Sequence, residues 1–121
     1  MAQAARRVLV VEDEALVAML VEDALLDAGF SVIGPAATVE EALSLIGRER
    51  PDAVVLDLNL AGEVSTPVAD ELASRGIPYL IATGYGASGL PDGHKEALVL
   101  AKPYDPYELT AMLGKICPQA A

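Results

Sequence analysis

Four short apolar runs, each followed directly by an acidic, hydroxyl or basic residue, constrain the fold more than any other feature of the chain. The runs are residues 8–11, 53–56, 79–82 and 98–101. The polar residues that follow them are Glu12 with Asp13, Asp57, Thr83, and Lys102 with Pro103. Short runs rich in valine, leucine and isoleucine are typical of strands buried on both faces of a parallel sheet. All four polar positions would then lie at the carboxyl edge of one sheet.

Helical patterns alternate with these runs. The first covers residues 14–28, before Gly29 as a C-cap, and carries apolar residues at helical spacing: Leu16, Met19, Leu20, Ala24 and Leu26. Residues 30–33 form a further short strand, and later helices cover about 38–48, 66–74 and 105–116. We therefore predict an α/β fold with a doubly wound five-stranded parallel sheet in the order 2-1-3-4-5.

Capping residues mark the later helix starts. Thr38 and Glu41 have the spacing of a capping box, in which hydroxyl and carboxylate satisfy backbone donors. Thr66 precedes Pro67, which predicts a capping hydroxyl ahead of a proline at the first helical position. Asp105 is expected to cap the last helix in the same way.

One glycine-rich segment breaks the alternation between Thr83 and the last strand. Residues 84–96 contain four glycines and a proline, and each interior glycine costs a helix about 1 kcal/mol relative to alanine. We expect the fourth helix to be absent, short or mobile. Segment 84–96 is still long enough to join the two parallel strands by a right-handed crossover.

Composition favours one cytoplasmic domain with a protein partner. At 121 residues and 53% apolar content, the chain can bury a core of its own. Its single cysteine, Cys117, cannot form an intramolecular disulfide, and its apolar runs are too short to cross a bilayer. A net charge of −10 opposes nucleic-acid binding. We expect a monomer that binds neither membrane nor nucleic acid.

The acidic residues at the strand ends predict a metal site. Any one of them alone would be read as a solvated turn residue, but three carboxylates at one edge repel one another unless a cation bridges them. Hard oxygen ligands suit Mg²⁺. Asp57 is the best-placed nucleophile, with Asp13 as a direct ligand and Glu12 acting through a bound water. The main-chain carbonyl of Asn59 can complete the metal shell.

Thr83 and Lys102 are candidates for phosphoryl contacts, each with a simpler alternative. Thr83 could be an ordinary β-branched strand residue, but before Gly84 its hydroxyl could meet a phosphoryl oxygen. Lys102 could be a surface lysine, but at the end of a buried strand its ammonium could lean towards the carboxylates. His94, the only histidine, is read as an exposed loop residue.

This set of residues, in this order and on these strand ends, resembles the phosphoryl-acceptor site of CheY-like response-regulator receiver domains. The resemblance runs over nearly the whole chain. It implies that a histidine kinase donates a phosphoryl group to Asp57 with Mg²⁺, after which Thr83 and Lys102 contact the acyl phosphate and shift the conformation. It also implies a phosphorelay module, which catalyses only its own phosphorylation and dephosphorylation and is not an enzyme acting on other substrates.

Residues 57–63, 67–70 and 81–85 are similar to the FATGUY subgroup of receivers, named for a Phe-Ala-Thr-Gly-Tyr-like signature. Ile81 stands in place of the signature phenylalanine. Members of that subgroup are often stand-alone receivers paired with HWE-type histidine kinases in alphaproteobacteria.

Three departures from the common receiver pattern affect the expected switch. The acidic pair begins with Glu12 instead of aspartate, Ala61 replaces a frequent proline, and Val99 replaces a rotating aromatic. The usual coupling of threonine to an aromatic cannot work through Val99. We expect Tyr85, two residues after Thr83, to transmit the change instead. A partner surface would then comprise Tyr85, Tyr104 and Tyr107.

We therefore expect residues 1–121 to form a single receiver domain with no output domain. It would switch an unknown downstream protein or drain phosphoryl groups from a kinase. The alternative is a Mg²⁺-dependent phosphohydrolase that uses Asp57, but no general acid-base residue is evident. A nucleotide-binding flavodoxin-like module is disfavoured because the position after the first strand is acidic, without a glycine-rich phosphate loop.

Overall fold

The computed structural model describes residues 5–60, 62–83, 98–101 and 105–117. The strands are β1 (Arg7–Val11), β2 (Ser31–Ala36), β3 (Ala53–Asp57), β4 (Asn59–Leu60), β5 (Glu63–Val64), β6 (Tyr79–Thr83) and β7 (Leu98–Ala101). The helices are α1 (Ala15–Asp27), α2 (Val39–Glu49), α3 (Thr66–Arg75) and α4 (Pro106–Ile116). None of the helices in these described ranges is long and apolar enough to cross a membrane.

The main sheet has five parallel strands in the order β2-β1-β3-β6-β7. Numbered by the five predicted strands alone, this is the order 2-1-3-4-5, so the predicted fold class is confirmed. The register pairs Val11 with Leu56, and Asp57 with Ala82. The carboxyl ends of β1, β3 and β6 therefore meet at one edge of the sheet.

Both faces of the sheet are covered by helices, which explains why the central strands β1, β3 and β6 are mostly apolar. Val8 and Val10 of β1 point to the side covered by α1 and α4, whereas Leu9 and Val11 point to the side covered by α2 and α3. All four side chains are at most 1% exposed. The strict alternation between two cores fixes the register, because a shift of one residue would exchange the two sets.

Two of the predicted caps are confirmed and one is wrong. The Thr38 hydroxyl accepts a hydrogen bond from the Glu41 amide at 3.1 Å, and the Asp105 carboxylate accepts one from the Tyr107 amide at 2.9 Å. Thr66, by contrast, is the first residue of α3, and the capping position belongs to Ser65. Ser65 makes no side-chain cap, because its hydroxyl bonds elsewhere.

β2 and the segment after β3 differ from the sequence prediction. The predicted strand over residues 30–33 is β2 at Ser31–Ala36, so it ends three residues later, beyond Gly34 and Pro35. Proline is tolerated there because β2 is an edge strand and pairs only with β1. β4 and β5 form a two-stranded antiparallel hairpin that was not predicted, since each strand has only two residues.

Cys117 lies at the end of α4 and is only 6% exposed. Burial raises the pKa of its thiol and is the largest cause of the shift. The negative charge of Asp52 raises this pKa further, and the positive charge of Arg6 lowers it. A buried thiol with a raised pKa is a poor nucleophile.

Candidate functional site

Three carboxylates converge where β1 and β3 end. Glu12 and Asp13 follow β1, and Asp57 is the last residue of the adjacent β3. One oxygen of each carboxylate lies within 4.8 Å of the others. Glu12 is 2% exposed and Asp57 is 4% exposed, while Asp13 is the most accessible of the three to solvent. We call these three residues the acidic cluster.

Backbone amides hold the two buried carboxylates of the acidic cluster. An oxygen of Glu12, Oε2, accepts a hydrogen bond from the Glu14 amide at 3.1 Å. The Glu12 amide itself donates to the Ala36 carbonyl at 2.9 Å, which ties this turn to the end of β2. Asp57 Oδ1 accepts from the Asn59 amide at 3.2 Å. Both side chains are thus oriented by the main chain that immediately follows them.

The acidic cluster fits a hard divalent cation. Its donors are all carboxylate oxygens, the ligand type that Mg²⁺ prefers, and one member is open to water. Like charges this close and partly buried repel one another, and a bound cation offsets that repulsion. Glu12, Asp13 and Asp57 would hold Mg²⁺ here, and the cluster was predicted from the strand order.

Asn59 begins β4, two residues beyond Asp57. Its side-chain oxygen accepts from the Gly62 amide at 3.1 Å, and its backbone pairs with Val64 across the hairpin. The side chain is therefore engaged in the β4–β5 turn. The predicted contribution of its main-chain carbonyl to the metal shell stays a prediction.

Thr83 ends β6 and is 3% exposed. Because Asp57 pairs with Ala82, Thr83 lies one residue beyond the level of the acceptor on the neighbouring strand. Val99, on β7, pairs with Ile81 and is half-buried. Tyr107, in the first turn of α4, is 85% exposed, as a partner-surface residue should be. Their roles in the switch and in partner binding stay predictions.

Several predicted positions lie outside the described residues. They are Ala61, Tyr85, Lys102 with Pro103, Tyr104, and the segment 84–96 with His94. The ammonium contact of Lys102, the tyrosine switch and the state of the fourth helix stay predictions.

The model of the response regulator receiver domain family matches residues 8–114, which is most of the chain. This chain is a response regulator receiver domain. Phosphorylation of an aspartate is general in this family, as is Mg²⁺ binding at an acidic pocket. The family's acidic pocket corresponds in this receiver to a cluster that begins with Glu12.

Individual relatives agree with this assignment. The solution structure of SdrG from Sphingomonas melonis Fr1 is 37% identical, with a TM-score of 0.82 over 95% of this receiver and 98% of that chain. The crystal structure of PhyR from Brucella abortus is 31% identical, with a TM-score of 0.84 over 95% of this receiver and 49% of that chain. The FATGUY resemblance stays a prediction.

Two curated relatives are longer than this receiver. The phyllosphere-induced regulator PhyR of Methylorubrum extorquens is 32% identical, over 94% of this receiver and 44% of its own length. The transcriptional regulatory protein PdtaR of Mycobacterium tuberculosis is 30% identical, over 92% and 55% respectively. The receiver thus spans about half the length of the curated relatives it matches.

Ser65 is a residue beside the acceptor that the sequence analysis missed. It is fully buried, and its hydroxyl donates to the main-chain carbonyl of Asp57 at 2.7 Å. The one signal in the sequence was a serine directly before a predicted helix start. Thr66, the next residue, was an equally suitable helix cap. Only the direction of the hydroxyl distinguishes the two residues.

The apolar pattern of α1 was also misread. Ala18, Val21 and Leu25 face the core. The residues that carried the predicted helical spacing are mostly exposed: Leu16 79%, Met19 56%, Leu20 60% and Leu26 57%. We call these four residues the exposed α1 face. Helix α1 is apolar on nearly all sides, so its periodicity could not identify the buried one.

We predict that Asp13→Asn weakens Mg²⁺ binding more than Glu12→Gln does. Asp13 is open to the solvent from which a hydrated cation arrives, whereas Glu12 is buried and already accepts from the Glu14 amide. Loss of a direct carboxylate ligand should reduce affinity at least tenfold, about 1.4 kcal/mol. Isothermal titration with MgCl₂ measures both variants, and equal losses would contradict the direct and water-mediated assignments.

Proposed function

We propose that this receiver accepts a phosphoryl group from a histidine kinase on Asp57, with Mg²⁺, and thereby switches its binding to another protein or drains phosphoryl groups from the kinase. One observation carries the proposal: Asp57, buried and held by the Asn59 amide, lies within the acidic cluster of a receiver fold. The phosphorelay acts in the cytoplasm, in keeping with the family's signalling role.

The transfer is a displacement at phosphorus. A bond forms between an Asp57 carboxylate oxygen and phosphorus, while the bond from phosphorus to the donor imidazole nitrogen breaks and that nitrogen keeps the electron pair. Mg²⁺ held in the acidic cluster would neutralise negative charge on the transferring oxygens. Glu12 and Asp13 would hold the cation, and the Asn59 amide keeps the nucleophile oriented. Water later releases inorganic phosphate and restores the carboxylate.

Thr83 and Lys102 then respond to the new phosphoryl group. The Thr83 hydroxyl, on the strand beside Asp57, donates to a phosphoryl oxygen, and the Lys102 ammonium forms an ion pair with the acyl phosphate. The displacement of Thr83 moves Tyr85 and alters the surface that includes Tyr104 and Tyr107.

The exposed α1 face is the proposed docking surface for the kinase. α1 starts at Ala15, two residues after Asp13, so a protein bound there is already beside the acceptor. The helix has no basic residue, and it carries Glu22, Asp23 and Asp27. A partner helix with apolar residues flanked by lysine or arginine is complementary to this combination. A second copy of this acidic chain is not.

The downstream partner is proposed to be a protein. PhyR of Bartonella quintana, 26% identical with a TM-score of 0.82, is described as an anti-anti-sigma factor. The charge of −10 favours a basic protein surface over nucleic acid. Pairing with an HWE-type kinase and membership of the FATGUY subgroup are part of the same proposal.

The decisive experiment is incubation with Mg²⁺ and acetyl phosphate or phosphoramidate, followed by intact mass measurement. We expect one added phosphoryl group that survives acid and is lost in base, and no modification when EDTA removes the cation. Sustained release of phosphate from a panel of small esters would favour the phosphohydrolase instead. Absence of any adduct at millimolar donor would contradict the proposed function.

A further inference from the structure

The segment that joins the acceptor to α3 is closed by one buried side chain. The Ser65 hydroxyl is 2.7 Å from the Asp57 carbonyl oxygen and 3.1 Å from the Leu58 carbonyl oxygen. The Ser65 amide also donates to the Leu58 carbonyl at 2.9 Å. Leu58 and Ser65, which flank the β4–β5 hairpin, are therefore bonded to each other next to the acceptor.

Ser65 makes this contact instead of capping helix α3. It occupies the capping position of α3, where a serine side chain normally accepts from an amide of the first turn, yet no such bond is made. The hydroxyl is turned back towards β3 instead. Departures from local preference are expected at functional sites, where the gain lies in the geometry of the site.

The hydrogen bond from Ser65 is made to Asp57, the residue whose carboxylate is the proposed nucleophile. The hydroxyl holds the Asp57 carbonyl, and the Asn59 amide holds the Asp57 carboxylate at 3.2 Å. The Leu58 amide between them donates to Ala82 of β6 at 3.1 Å. These bonds hold the main chain that follows the Asp57 side chain and so constrain the direction in which its carboxylate points.

We propose that Ser65 is a positioning residue for the acceptor, which holds the main chain of Asp57 so that its carboxylate meets the incoming phosphorus in line. This inference rests on the proposed function, because it assigns Ser65 a part in the same phosphoryl transfer. Small misalignments of a nucleophile reduce rates strongly, since transfer requires reacting atoms held in contact and aligned.

The test compares Ser65→Ala and Ser65→Thr with Ile46→Val. The threonine variant keeps the hydroxyl. Ile46 is fully buried in α2, so Ile46→Val lowers stability while removing none of the hydrogen bonds that hold Asp57. Modification by phosphoramidate is followed over a range of donor concentrations, at a temperature where every variant is folded by circular dichroism. For Ser65→Ala we expect the maximal rate to fall about tenfold while the half-saturating donor concentration changes less than twofold.

Ser65→Thr should recover most of the rate, and Ile46→Val should keep the parent rate despite its lower stability. A parent-like maximal rate in Ser65→Ala, with only a lower midpoint of thermal unfolding, would overturn the inference and leave Ser65 as a buried hydroxyl of structural value. An equal loss of rate in Ile46→Val would overturn it as well.

A second readout does not depend on phosphorylation. The amide resonance of Asn59, which reports the hydrogen bond to Asp57 Oδ1, should shift in Ser65→Ala and return in Ser65→Thr. An unchanged Asn59 resonance in Ser65→Ala would overturn the positioning role even if rates differ. If the parent protein accepts no phosphoryl group, the proposed function fails, while this resonance still decides whether Ser65 orients Asp57.

Discussion

Asp57→Asn is expected to abolish phosphorylation, with the rate of modification by acetyl phosphate falling by at least about 10³-fold. Asparagine keeps an acceptor oxygen for the Asn59 amide, so the local structure should survive. What it lacks is the anionic oxygen that forms the bond to phosphorus. Intact mass measurement and release of labelled phosphate both report the loss.

Asp70→Asn provides the matched control, because it removes one exposed carboxylate from α3, away from the acidic cluster. We expect parent-like modification there. A further measurement separates chemistry from folding: without Mg²⁺, Asp57→Asn should unfold at a higher temperature than the parent, since it relieves repulsion among three close carboxylates. Full modification of Asp57→Asn would place the acceptor at another residue.

Leu20→Glu is expected to reduce phosphotransfer from a histidine kinase by about 100-fold while leaving modification by acetyl phosphate unchanged. Leu20 is 60% exposed on α1, so a glutamate there costs little stability. It does place a charge at the centre of the exposed α1 face, on a helix that is already acidic. The kinase used is the one that transfers fastest to the parent protein in a panel.

Ser44→Glu is the control for the added charge, because it lies on α2, which covers the opposite face of the sheet. We expect it to transfer at the parent rate. Equal loss in both variants would indicate a general charge effect. Unchanged transfer to Leu20→Glu would show that the kinase docks on another surface of the receiver.

The part of the site formed by strand ends was predictable, and the part formed by side-chain direction was not. The sequence predicted that the carboxylates of Glu12, Asp13 and Asp57 lie close together, because the carboxyl ends of adjacent parallel strands lie at one edge of the sheet. The contact of Ser65 with Asp57 could not be predicted, because the hydroxyl could also have capped α3. It lies 2.7 Å from the Asp57 carbonyl oxygen only because α3 packs against β3.

In the fold, too, features set by a few neighbouring residues were predictable, and features set by tertiary contacts were not. Thr38 and Asp105 were correctly identified as caps because capping depends on residues within one turn. The β4–β5 hairpin was missed, since strands of two residues carry no periodic signal. The extent of β2 was also underestimated, because glycine and proline end a strand in the middle of a sheet but not at its edge.

By itself the sequence determined the strand order, the helix starts capped by Thr38 and Asp105, and the edge at which three carboxylates meet, because alternating apolar runs and local caps leave few other arrangements. Only the tertiary structure decided which side of α1 is buried and where the Ser65 hydroxyl points. The neighbours that pack against α1 select its buried side, because the helix is apolar on nearly every side. The same kind of packing directs the Ser65 hydroxyl, which could either accept from a nearby amide or donate to a carbonyl.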